Sequence, residues 1–366
     1  IEAAYGDKLR PMDAFKDSAP AELVDCVGHD DLMVLMFTSG TTGRSKAVML
    51  SERNFFTTVE CQVKFGGAML DYKHEHMPED KNDVLSNFAI LPLFHLGTFI
   101  CLFVWACKGW ALNLSADIRD FYRDLGLMHS DAIAVAPMLM EAIYKDVKRG
   151  RRARLNGVWN PCGSSAMFDG AMLAELAQQG MMITQVYGMT ETCGDGIINY
   201  EQDEKHIRAV GKPDDHAEYK LDETGEICIR GGCVMLGYYK DPEATAEVLD
   251  ADGWFHTGDL ARVDEDGFYY ITGRKKNIII LDNGENVSPE ELENLLSKCE
   301  AVKECIVREK GKKICAVVYC GEADQQTVRD FITETNRTLP LYKRMSAVEF
   351  STEPLPRTGT GKLLRK

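Results

Sequence analysis

The nine residues "TSGTTGRSK", Thr38–Lys46, hold more potential chemistry than any other short stretch of the chain. Hydroxyls on Thr38, Ser39, Thr41 and Thr42 can donate to oxygens, Gly40 and Gly43 let a ligand approach the backbone, and Lys46 adds positive charge. Together they suit a polyphosphate. The same composition would also serve a solvent-exposed polar turn, and the loop by itself leaves both readings open. It is not a Walker A loop, because the Gly-x-x-x-x-Gly-Lys-Ser/Thr spacing is absent. "GTGKL", ending at Leu363, fails as well, with Leu where a metal-binding hydroxyl belongs. "HEH", His74–His76, has no further ligands nearby and reads as surface charge.

A phosphate-binding loop must be held by a strand before it and a scaffold behind it. Thr38–Lys46 directly follows the strand-like run "LMVLMF", Leu32–Phe37, the place where α/β sheets put their ligand loops. Similar runs recur at Val84–Leu91, Ala132–Ala136 and Met182–Val186, each followed by a turn and an amphipathic stretch. That order predicts a layered α/β domain with buried parallel or mixed strands. From about Ala217 the rhythm becomes short strands with hairpin turns, as in Asp222–Gly231 and Val263–Gly273, a smaller β region appended to the sheet. After "GRKKN", Gly273–Asn277, comes a compact tail. In "SPEELENLLSKCE", Ser288 at the N-cap, Pro289 at N1 and Glu291 at N3 predict a capping box and a helix start. Two alternating strands and another helix follow, so residues 277–366 are expected to form a small α+β domain, with "RKK" as linker.

Composition bounds what such a chain can do. At 366 residues it exceeds one ordinary core, so two or three domains are expected. The 45% hydrophobic and 27% charged fractions are those of a soluble globular protein. A net charge of −15 argues against wrapping nucleic acid or coating an anionic membrane, so any anion site must be built locally. The twelve cysteines are scattered, none forms C-x-x-C, and several sit in apolar runs; they read as buried thiols in a reducing cytosol. The longest apolar run, His95–Leu112, is interrupted at Gly97, Thr98 and Lys108 and falls short of the ~20 residues of a membrane span. It is expected to be a core helix, with no stable membrane insertion. The first residue is Ile1, which implies a start inside a longer gene product, so the absence of a leader is uninformative.

The loop resembles the phosphate loop of the AMP-forming adenylating enzymes: acyl-CoA synthetases, luciferases and the adenylation domains of peptide synthetases. Further signatures stand in that family's order: "LPLFH" (Leu91–His95), "YGMTET" (Tyr187–Thr192), "HTGDL" (His256–Leu260), "GRKKN" and "PRTGTGK" (Pro356–Lys362). The resemblance covers roughly residues 32–366. It implies a large domain over residues 1–273, a hinge at 274–276 and a small mobile C-terminal domain over 277–366. In the family well over a hundred residues precede the phosphate loop, whereas 37 precede Thr38 here, so the first subdomain is expected to be missing.

The resemblance also assigns roles. ATP and AMP would be held by Thr38, Ser39, Gly40, Thr41, Thr42, Gly43 and Lys46, by Gly163, Ser164 and Ser165, and by Tyr187, Gly188, Met189 and Thr190. Tyr187 would stack on adenine, Thr190 bond the α-phosphate and Glu191 hold Mg²⁺, a hard cation suited to a carboxylate. Asp259, acceptor-only and bidentate, would take both ribose hydroxyls, with Arg274 as the second ribose or phosphate contact. "CGSSAMF", Cys162–Phe168, lies where relatives have a Gly-Gly-Ala-Pro-like adenine loop; Gly163 matches, but the Pro is missing. His95 and Gly188 would border the acyl pocket, although a His beside an apolar helix is also commonly a satisfied core residue. Lys362 would be the catalytic ammonium between carboxylate and α-phosphate, acting with Thr190 and Lys46. Rotation about Lys276 would then withdraw Lys362 and present Gly284, near which CoA enters. The implied function is an acyl-CoA synthetase acting on ATP, Mg²⁺, CoA and a carboxylic acid, most simply a fatty acid. Two alternatives stay open: loading of a carrier-protein phosphopantetheine, and a nucleotide-binding fragment without catalysis.

Overall fold

The computed structural model describes residues 28–38, 45–115, 117–164, 168–194, 196–281, 285–357 and 363–364. It begins with a hairpin. Strand β1 (Leu32–Phe37) pairs antiparallel with β2 (Ala47–Ser51), from Phe37 opposite Ala47 down to Leu32 opposite Ser51. This differs from the expected strand, loop and helix: the residues between Thr38 and Lys46 join two neighbouring antiparallel strands. A run of apolar residues identifies a strand but not its partner, which is why the sequence pattern did not distinguish the two. Helix α1 (Glu52–His76) follows at once, started by a capping box in which Ser51 Oγ accepts from Asn54 N and Asn54 Oδ1 from Ser51 N.

The next segment is the layered α/β unit. It runs β3 (Ser86–Ala89), α2 (Leu96–Cys107), β4 (Ala111–Leu114), α3 (Phe121–Leu127), β5 (Ala132–Val135), α4 (Pro137–Lys148), β6 (Asn160–Ser164), α5 (Gly170–Gln178), β7 (Thr184–Gly188) and β8 (Gly196–Asn199). The strands form one sheet in the order β4-β3-β5-β6-β7-β8, parallel except for the last pair. One face buries Phe88, Ile133 and Val135 against Leu139, Met140 and Ile143 of α4 and Leu173 and Leu176 of α5. The other face meets α1 and α2 through Met69, Val104, Trp105 and Trp159. The apolar run from His95 is indeed a core helix, α2, and no described helix is long and apolar enough to cross a membrane.

The expected β region is present as β9 (Ala217–Leu221), β10 (Glu226–Gly231), β11 (Gly237–Tyr238), the short helix α6 (Pro242–Ala246), β12 (Phe255–Val263) and β13 (Tyr269–Arg274). Four of these strands form an antiparallel sheet in the order β13-β12-β10-β9, whereas β11 leaves it and pairs with β2. The tail contains a short antiparallel pair, β14 (Ile279–Ile280) and β15 (Asn286–Val287), then α7 (Pro289–Leu296), β16 (Glu304–Lys310), β17 (Lys313–Tyr319), α8 (Gln325–Thr338) and β18 (Ala347–Ser351). Its own core gathers Leu292, Leu296, Val307, Ile314, Val318 and Val328.

Helix α7 starts where expected, with Ser288 as N-cap, but the capping box is not made. Ser288 Oγ donates instead to the carbonyl of Thr272 at 2.6 Å, and Glu291 pairs with Lys343 at 2.7 Å. Gly273 permits that approach, since a Cβ there would collide with Ser288 Oγ. The eleven cysteines among the described residues are free; most are buried, as read from the sequence, but Cys101 and Cys162 are only partly so and Cys107 is exposed. His74 faces Asp83 and His76 stacks on Tyr72.

Candidate active site

Three local constructions converge near the carboxyl ends of β6 and β7. The first is the base of the hairpin loop. Thr38 N donates to the Lys46 carbonyl at 2.9 Å, closing the ends of a loop whose residues Ser39, Gly40, Thr41, Thr42 and Gly43 lie outside the described residues. Strand β11 sets Tyr238 opposite Val48, and Lys46 Nζ rests 4.4 Å from the centre of the Tyr238 ring. The Tyr238 hydroxyl donates to Glu191 Oε1 at 2.9 Å, while Met235 N donates to the Glu191 carbonyl at 2.9 Å. Burial, then the Glu191 charge, push the Tyr238 phenol far above its usual range, so it remains a donor. A cation, an aromatic ring and a carboxylate thus form one line. A carboxylate steered by a neutral donor, with its other oxygen not taken by that bond, is a suitable ligand for a hard divalent cation.

The second construction is a buried carboxylate. Asp259 and Arg274 are opposite one another across β12 and β13, with Arg274 Nε 2.6 Å from Asp259 Oδ1. Tyr187, at the end of β7, donates its hydroxyl to Asp259 Oδ2 at 3.1 Å. Burial raises the Tyr187 phenol well above its ordinary value, with the Asp259 charge as the second cause. Asp259 is buried and Arg274 half-exposed, so the pair presents a fixed carboxylate beside a more accessible cation. A carboxylate accepts at both oxygens, which suits it to a vicinal diol.

The third is an apolar cavity of about 140 Å³ between the sheet and helices α1 and α2. Phe65 and Met69 of α1, Trp105 of α2 and Trp110 line it, together with Gly188, Met189 and Thr190. Gly66 lets Trp110 lie close, because a Cβ there would be 3.0 Å from its ring. Cys101 and Cys162 contribute thiols that burial pushes up to about 11 and about 12, so both are neutral. Thr190 opens a short 3-10 turn, Thr190–Thr192, and both lines the cavity and precedes Glu191.

The remaining sequence-derived residues fall as follows. Gly163 is buried in β6, opposite Val135 and Gln185, with the Phe168 ring against its α-carbon; Ser164 continues the strand opposite Val186. Ser165, Gly284 and Lys362 lie outside the described residues. His95 is the exposed N-cap of α2 and makes no side-chain cap bond; the three residues after it, Leu96, Gly97 and Thr98, line the cavity. Lys276 sits in the turn Lys275–Asn277, anchored by Lys275 Nζ on Glu226 at 2.7 Å. Sequence reasoning missed Tyr238, which has no motif spacing of its own, and the tryptophan wall, which reads only as core.

Known proteins resemble the chain in both parts. The family model for AMP-binding enzymes matches residues 3–239, and the model for the AMP-binding enzyme C-terminal domain matches residues 291–362. The chain is 31% identical to a feruloyl-CoA synthase from Amycolatopsis sp, covering 99% of this chain and 74% of that one. It is 30% identical to the long-chain-fatty-acid–CoA ligase of Salmonella typhimurium, covering 92% and 61%. Among solved structures, the O-succinylbenzoate coenzyme A synthetase from Bacillus subtilis in complex with AMP superposes with a TM-score of 0.75 at 25% identity, covering 93% and 69%. The chain therefore spans about two thirds of the length of such relatives. With both family models matched in order and the fold shared, the chain belongs to the AMP-binding enzymes, the AMP-forming adenylating superfamily that includes acid–CoA ligases.

Proposed function

We propose that this protein is an ATP-dependent acid–CoA ligase. The observation that carries the proposal is the position of Thr190: it lines the apolar cavity and adjoins the Glu191–Tyr238–Lys46 line. An acid in the cavity would thus present its carboxylate beside a bound nucleotide. In the first half-reaction a carboxylate oxygen attacks the α-phosphorus of ATP, the bond to the β-phosphate breaks, and acyl-adenylate and pyrophosphate result. In the second, a thiol attacks the acyl carbon, AMP leaves, and the thiol proton passes to solvent.

Each residue has a defined task in this scheme. Asp259 and Arg274 orient the ribose, and Tyr187 fixes the carboxylate of Asp259 from the buried side. Thr190 donates to the α-phosphate. Lys46 offers its charge to the phosphates, and its ammonium is steered by the Tyr238 ring. Glu191 would hold Mg²⁺, which supplies charge neutralisation on the polyphosphate. Lys362 is the ammonium for the first half-reaction, and rotation about Lys276 exchanges it for the segment containing Gly284. The relatives' names specify CoA, and we take CoA rather than a carrier protein as the thiol. The free cysteines fit a reducing, cytoplasmic compartment.

The cavity's lining fits an apolar acyl body, and both fatty and aromatic acids occur in the relatives' names. The experiment is carboxylate-dependent ATP–pyrophosphate exchange over a panel of both kinds, followed by thioester formation with CoA and with a holo carrier protein. Exchange with an acid and thioester with CoA is the expected outcome. ATP binding without exchange on any acid would leave a nucleotide binder, and loading of the carrier alone would change the thiol.

A further inference from the structure

On one face of the sheet β13-β12-β10-β9, four side chains of metal-ligating type gather beside a single ammonium. Ile227 and Ile229 of β10 pack into the core on the other face, so alternation sends Glu226 and Cys228 to this one. In register, Cys228 stands opposite His256 of β12, with Sγ 3.5 Å from Nδ1. The same Nδ1 is 3.5 Å from Glu226 Oε2. Asp222, in the turn before β10, completes the group: its carboxylate, the thiol and the imidazole have ligand atoms within 4.8 Å of one another. Half-exposed Lys275 reaches in, with Nζ 2.7 Å from Glu226 Oε2 and 3.6 Å from Asp222 Oδ2.

An ammonium needs only the two carboxylates, whereas a thiol and an imidazole nitrogen beside them suit a borderline-soft cation. Zinc bound tetrahedrally, about 2.3 Å from a sulfur and about 2.0 Å from a nitrogen, holds those two atoms about 3.5 Å apart. Cys228 Sγ and His256 Nδ1 have that separation. The imidazole is also turned for the task. His256 Nε2 faces Asp250 Oδ2 at 3.5 Å, while Asp250 Oδ1 accepts from Asp252 N and Trp254 N. A carboxylate on the outer nitrogen keeps the ring proton there and leaves the Nδ1 lone pair facing the group, the support that metal-bound imidazoles have. We propose that Cys228, His256, Glu226 and Asp222 form a zinc site, and that the ion competes with the Lys275 ammonium for the two carboxylates. Burial, then the Glu226 charge, push the Cys228 thiol up to about 11, so capture of the ion breaks its S–H bond and the proton goes to solvent. Lys275 is displaced in the exchange, which undoes the anchor of the turn Lys275–Asn277.

The test is titration of the full chain, first stripped with a chelator, with Co²⁺ and then Zn²⁺ in excess Mg²⁺, a hard cation that leaves thiolates alone. Co²⁺ should bind with a thiolate-to-cobalt absorption band, and Zn²⁺ should displace it. Cys228→Ser should abolish the band. His256→Gln, which serves if the first variant does not fold, should weaken binding at least as much as loss of a supporting partner does, roughly 10- to 100-fold. Lys275→Met removes the competing ammonium and its charge-assisted bond, and should tighten binding about tenfold. No thiolate band in the folded parent, or a band that survives Cys228→Ser and is lost in Cys61→Ser, the thiol of the group Cys61, Asp214 and His216, overturns the proposal. Binding unmoved or weakened in Lys275→Met overturns the competition. Melting temperatures without metal report on folding. Pyrophosphate exchange plays no part in the readout, so either failure leaves the ligase reading intact.

Discussion

The bond from Tyr238 to Glu191 allows the proposed metal ligand to be tested without touching it. Tyr238→Phe removes one hydroxyl, 2.9 Å from Glu191 Oε1, and keeps the ring under Lys46. A hydrogen bond to a charged group is worth about 1.5–3 kcal/mol, and the lower end applies because Glu191 is only half-buried and water can replace the lost donor. About 1.5 kcal/mol is roughly tenfold in an equilibrium constant. The Mg²⁺ concentration giving half-maximal pyrophosphate exchange, at fixed ATP and acid, should therefore rise about tenfold in the variant. Tyr238→Leu also loses the ring beneath Lys46, a further ~0.5–1 kcal/mol or about two- to fivefold. Binding of AMP without Mg²⁺ should be unchanged in Tyr238→Phe and reports on folding. A Phe variant with the parent's Mg²⁺ dependence would refute the assignment of Glu191 as the metal ligand steered by Tyr238.

Three further outcomes are expected. Lys362→Ala should lower adenylate formation by ~10²–10³-fold, the usual loss for a transition-state donor, yet largely spare thioester formation from supplied acyl-adenylate; equal losses in both would contradict two separate roles for the tail. Lys276→Pro, which stiffens the turn Lys275–Asn277, should slow thioester formation more than adenylation in single-turnover measurements, and equal damage would count against a hinge there. His206 faces Asp203, Asp264 and Asp266, with Lys205 nearby and Phe268 stacked on its ring, and the Asp203 hydrogen bond raises its pKa above the ordinary value. A raised pKa stabilises the fold fully below the unfolded value of ~6.5 and loses that contribution as pH rises through the folded value. The melting temperature of His206→Gln should therefore approach that of the parent as pH rises above ~6.5, and a constant difference would refute the linkage.

Much of the architecture was legible because burial enforces pattern. The runs at Val84–Leu91 and Ala132–Ala136 are strands of a doubly covered sheet, and the turns at Asp222–Gly225 and Asp264–Gly267 connect hairpins as their Asp and Gly residues suggest. What failed were the partners. Leu32–Phe37 has the composition of a strand in any sheet, and only tertiary pairing with Ala47–Ser51 makes it half of a hairpin. Ser288 marks a helix start by local chemistry, but a distant carbonyl competes for its hydroxyl. At the site, Asp259 and Arg274 were found through their motifs and are joined across two strands, whereas Tyr238 comes from a two-residue strand with no periodicity to read.

The diverted hydroxyl of Ser288 bears on how freely the tail can move. Its bond to Thr272 ties α7 to β13, and breaking that tie costs about 1 kcal/mol. A hydroxyl that donates can still accept, so the missing bond from the first turn of α7 reflects how Ser288 Oγ is turned rather than an exhausted oxygen. Under the turn of the tail about Lys276 proposed above, this joint would therefore set a barrier of only that small size, leaving the choice of arrangement to the bound substrates.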